Sequence, residues 1–126
     1  MILRILLIAL GGAIGSVCRY GCGGLAYRLS GSIFPWGTAA VNLIGSLAIG
    51  FLWAAFERAA LGSTMRTFVF IGILGGFTTF SSYTLETFNL FREGEARLAI
   101  TNMFVSNIVG VAAVFVGFMI FRYMAK

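Results

Sequence analysis

Histidine and aspartate are absent from the 126 residues, and only one proline and two cysteines occur. Without His or Asp, no nucleophile–base pair of the usual kind can be assembled, which argues against an enzyme. The same absence removes the common transition-metal ligands and most proton relays. Cys18 and Cys22 lie four residues apart on one predicted helix. They share a face but are poorly placed for a disulfide, and they read as small apolar fillers. Charge is scarce as well. Nine Lys or Arg and four Glu make up 10% of the chain, too little to cover a soluble domain of this length.

What is present is apolar: 60% of the residues are hydrophobic. A bilayer span takes about 20 mostly apolar residues. Four stretches meet that requirement, at about 3–27, 33–56, 67–91 and 98–121. The expected fold is an all-α integral membrane protein, with 1–126 as a single transmembrane domain. The connections are short, so any function lies within the membrane. Arg4 followed by an apolar run imitates a signal peptide. Helix-compatible sequence continues past Val17, however, and the stretch reads as the first span.

With the N-terminus on the cytoplasmic side, that side carries Arg4, Arg58, Arg66, Arg122 and Lys126. The opposite side carries Arg28, Arg92 and Arg97. Five against three is a weak bias under the positive-inside rule. A chain of that kind is suited to inserting both ways up, and two copies could then pair antiparallel.

Each span has one small or polar face. Span one presents Gly12, Gly15, Ser16, Arg19 and Gly23, and Gly11 with Gly15 allows close helix approach. An arginine at mid-bilayer costs about 2.5–3.5 kcal/mol on insertion scales. Two readings of Arg19 stand: a headgroup anchor or carbonyl cap, and a positive charge at the mouth of an anion path. Span two begins after Ser32, with Pro35 in its first turn and Trp36 and Trp53 at its two ends. Its polar face holds Thr38, Asn42, Gly45 and Ser46. The Asn42 amide serves either a helix–helix hydrogen bond or an anion. Span four carries Asn102, Ser106 and Gly110 on one stripe, with Asn107 beside it. That stripe is placed to continue a pathway from span three.

Span three is the exception to membrane-helix composition. Gly75-Gly76 is followed by Phe77-Thr78-Thr79-Phe80-Ser81-Ser82-Tyr83-Thr84, two glycines and a dense set of hydroxyls inside an apolar run. Irregular backbone survives in a bilayer only inside protein or beside a water-filled cavity. The stretch predicts a helix broken at Gly75–Thr78. Freed carbonyls there suit a hard cation such as Na⁺, and a half-helix N-terminus suits an anion. The alternative is a kinked helix whose hydroxyls bond back to their own backbone. Glu86 is the one acid well inside a span. A path lined by hydroxyls, amides and aromatic rings, with an arginine nearby, fits an anion better than a cation. Phenyl rings such as that of Phe80 present a positive edge.

These motifs together resemble the CrcB/Fluc family of bacterial fluoride channels. The resemblance rests on Gly11-Gly12-Ala13-Ile14-Gly15-Ser16 with Arg19-Tyr20, on Thr38 with Val41-Asn42 and Gly45-Ser46, and on the Gly75–Tyr83 run. It covers the whole chain. It implies an antiparallel dual-topology homodimer in the bacterial inner membrane, passing F⁻ passively through two pores. It places Phe80 and Tyr83 at the two aromatic positions facing fluoride, Asn42 as the pore amide and Arg19 near the vestibule. Ser81 and Ser82 fall in the hydroxyl-rich part of the path, which Ser106 continues. Gly75 and Thr78 would give backbone carbonyls to a structural Na⁺ at the dimer centre. The family usually has Phe at the second aromatic position, where this chain has Tyr83. The partners this implies are a second copy, fluoride and membrane lipid, with no nucleic acid. The competing reading is a small multidrug-resistance-type, proton-coupled transporter. Such transporters depend on an acid in the first span, and this first span has none.

Overall fold

The computed structural model describes residues 1–126. Helix α1 runs Ile2–Ser30 and stops at Gly31, whose left-handed φ of 55° lets its N–H return to the Tyr27 carbonyl. Helix α2 spans Trp36–Arg58 and starts directly after Pro35, which lacks the N–H that a helix interior needs. Helix α3 covers 63–77, and α4 covers Phe80–Arg92. Gly94, at φ 82°, makes the turn into α5, Ala96–Met124. Strands are absent.

Four helical stretches are long and apolar enough to cross a membrane: Ile2–Ser30, Trp36–Arg58, Ser63–Arg92 and Ala96–Met124. The shortest has 23 residues. At about 1.5 Å per residue it still exceeds a hydrocarbon core of about 30 Å. The first stretch reaches Ser30 rather than residue 27, and α5 reaches Met124 rather than 121. Helical hydrogen bonding therefore continues about a turn beyond the apolar windows.

Glycine packing holds the helices together. Helix α1 crosses α3 where Gly11 and Gly15 meet Gly72 and Gly76. A Cβ on Gly11 would lie 2.8 Å from the Phe68 carbonyl oxygen, and one on Gly76 would lie 2.7 Å from that of Gly12. Helix α2 meets α5 in the same way, where a Cβ on Gly50 or Gly117 would overlap the facing backbone at Val114 or Leu47. In lipid no hydrophobic force drives helices together, so van der Waals contact between close backbones supplies much of the association. The core is accordingly thin. Of 126 residues, 20 are buried, and large side chains such as Leu6, Ile71 and Phe115 face outward.

Candidate functional site

Thr78 and Thr79 lie between α3 and α4 with extended dihedrals, φ −83°, ψ 157° and φ −147°, ψ 116°. Two extended residues at membrane depth leave N–H and C=O groups that need partners. Asn42 of α2 satisfies both groups of Thr79. Its Nδ2 donates to the Thr79 carbonyl at 3.0 Å, and its Oδ1 accepts the Thr79 N–H at 2.8 Å. The hydroxyl of Thr79 then caps α4 by accepting the Ser82 N–H at 3.2 Å.

This arrangement diverts two donors. A continuous α-helix would give the N–H of Thr79 to the Gly75 carbonyl and that of Ser82 to the Thr78 carbonyl. Here they go to Asn42 and to the Thr79 side chain. The Thr78 carbonyl instead accepts a long bond from Arg19 Nη1 at 3.4 Å. The two carbonyls implied as cation ligands are thus the two that have lost these helical donors. Hard oxygens of this kind fit Na⁺, and no acidic cluster competes as a metal site. Two carbonyls fall short of a full shell, so a cation there needs further oxygens from elsewhere.

Beside the extended pair lies a cavity of about 360 Å³. Asn42, Gly75, Thr78, Thr79, Phe80, Tyr83, Ser106 and Asn107 are among the residues that line it, and no charged residue contributes. The Phe80 and Tyr83 rings are tilted at 57°, with centroids 5.4 Å apart. Phe80 is 73% exposed and Tyr83 only 6%, so the cavity is walled on one side and open on the other. The N-terminus of the 13-residue α4 begins at Phe80, which biases the cavity toward negative charge.

The expected pore residues do not all converge. Arg19 and Ser82 line a second cavity of about 690 Å³, together with Thr38 and Glu86. Thr79 lines both cavities and so forms the partition. Ser81 lines neither; it is exposed, with its hydroxyl 3.4 Å from that of Thr79. Glu86 accepts from Thr38 Oγ1 at 2.6 Å through Oε1, while its Oε2 is buried without a partner.

Asn107 lies beside the span-four stripe in sequence and is not among the expected pore residues. In the structure its Nδ2 donates to Tyr83 Oη at 2.9 Å. An ideal helix puts residue 107 well off the stripe through Asn102 and Ser106. Over Val105–Val109 the turn widens to i→i+5 bonding, and both Ser106 and Asn107 then reach the cavity. A 3.6-residue period cannot show that. A buried ladder runs on from Tyr83: Thr87 donates to its carbonyl at 2.8 Å, and Asn102 donates to Thr87 at 2.9 Å.

The family model described as "CrcB-like protein, Camphor Resistance (CrcB)" matches residues 6–118. The Fluoride-specific ion channel FluC of Parabacteroides distasonis is 44% identical over 115 residues, covering 91% of this chain and 90% of that protein. The FluC of Agrobacterium fabrum is 48% identical over 116 residues, covering 91% and 93%. That of Opitutus terrae is 49% identical over 115 residues, covering 89% and 87%.

Proposed function

The chain belongs to the CrcB-like family, a family of fluoride channels, and from that premise we propose that it carries F⁻ passively out of the cytoplasm across the bacterial inner membrane. It is a multi-pass membrane protein and not an enzyme. The observation that carries the pore reading is the uncharged cavity. Amide, hydroxyl and aromatic groups converge there with a helix N-terminus and no carboxylate. Such a lining attracts a small anion without binding it too tightly to leave.

The antiparallel homodimer is supported by the open side of that cavity. Phe80 is largely exposed there, and a second copy would close the path and add its own rings. Two copies related by a two-fold axis give two equivalent pores. The third span is read as interrupted at Thr78–Thr79 rather than over the expected Gly75–Thr78, because Gly75–Phe77 stay helical. The carbonyls of Gly75 and Thr78, the latter also accepting from Arg19, would be doubled across the axis and would hold the structural Na⁺. Arg19 and Ser82 belong to the vestibule side of Thr79, and Asn42, Phe80, Tyr83 and Ser106 to the narrow side. Neutral HF enters from acidic surroundings and dissociates inside, and the negative-inside potential then expels the anion.

Liposomes loaded with KF or KCl test this, with valinomycin to carry the potassium. Fluoride release above empty vesicles, with chloride retained, is the expected result. Release of neither ion by folded protein would refute the reading.

A further inference from the structure

Resting on the fluoride-channel reading, we propose that Tyr83 donates its phenolic hydrogen to the anion in the pore, with Asn107 as the positioning residue that aims it. The Asn107 amide has one good orientation, because Nδ2 donates to the Met103 carbonyl at 2.8 Å, and a carbonyl only accepts. The same Nδ2 reaches Tyr83 Oη at 2.9 Å. An amide nitrogen cannot accept, so the phenol oxygen is the acceptor in that bond. The single phenolic hydrogen is therefore left over, and no group of this chain takes it up.

That hydrogen belongs to a side chain only 6% exposed, on the wall of the uncharged cavity. A buried hydroxyl with an unmet hydrogen is costly in a bilayer. The cavity's occupant is the acceptor still available, and a small anion is a strong one. The bond from Asn107 holds the phenol oxygen toward α5. Both Asn107 amide hydrogens are spent, one on Met103 and one on Tyr83, so its influence on the anion passes through Tyr83. Tyr83 thus brings a donor to the cavity together with its own support on α5.

Fluoride efflux from liposomes is compared for the wild type, Tyr83→Phe, Asn107→Leu and the double variant. Losing a hydrogen bond to a charged group predicts about a tenfold lower flux in Y83F. Asn107→Leu is expected to lower flux as well, and the double variant no further than Y83F alone. A purely structural Asn107 would instead add its loss to that of Y83F. Fluoride is also expected to shift the tyrosine ultraviolet absorbance of the wild-type protein, an effect that chloride does not produce and Y83F abolishes. This readout does not depend on the Asn107 variant folding. Y83F flux equal to or above the wild type overturns the inference while leaving the channel reading intact. So do additive losses, or a fluoride-induced absorbance change that persists in Y83F. Absence of wild-type flux overturns both.

Discussion

Asn42→Asp isolates the amide that holds Thr79. The carboxyl is nearly the same shape, but its hydrogen-bonding depends on protonation. A protonated carboxyl can donate to the Thr79 carbonyl and accept the Thr79 N–H, reproducing the bonds seen at 3.0 and 2.8 Å. An ionised carboxylate can only accept. It sets two oxygens against each other at the Thr79 carbonyl and leaves that group unpaired, at about 1–3 kcal/mol. It also places a negative charge on an otherwise uncharged cavity wall. Repulsion of an anion at about 4 Å is about 4 kcal/mol at an effective dielectric of about 20, or close to a thousandfold in flux. N42D should therefore conduct at low pH and lose flux as pH rises through its titration, whereas the wild type has no such group in the cavity. The assay is fluoride efflux from pH-clamped liposomes between about pH 5.5 and 8.5, with the wild type as reference at each pH. A folded N42D protein that keeps wild-type flux at the alkaline end would refute the role given to this amide.

Other predictions follow from the same contacts. Thr79→Ala removes the α4 cap and should cost about 1 kcal/mol of stability in thermal melts, while Thr79→Ser should retain most of it. Thr38→Val leaves both oxygens of the Glu86 carboxyl without partners and should destabilise by about 1–3 kcal/mol. Adding Glu86→Leu should recover part of that loss, and a Thr38→Val cost unchanged in the Leu background would contradict the pairing. Gly117→Val should separate α2 from α5 and lower the melting temperature or abolish folding, whereas Gly62→Ala, which faces open space, should be close to neutral.

Much of the architecture is written in composition. Four apolar runs with short connections allow little besides four spans, because each needs about 20 residues to cross and the chain has few residues left over. The glycine–hydroxyl run at 75–84 marked the working region, since hydroxyls and glycines at that density are out of place against lipid. The weak charge asymmetry and the missing acid of span one were equally visible. The sharing of residues between sites was not. Ser81 and Ser82 are neighbours in sequence, yet one faces outward and the other lines the Arg19 cavity.

Sequence alone thus determined the solvent this protein lives in and the stretch where its chemistry concentrates, because hydropathy and residue type are local properties. Tertiary structure decided which polar groups remain free. Asn42 looked like a pore donor, but much of its amide is committed to Thr79. The Tyr83 oxygen is tied to Asn107, which a widened turn carries to the cavity. Each outcome depends on the register between helices distant in sequence. Glycine contacts between facing backbones help set that register, and no local pattern encodes it.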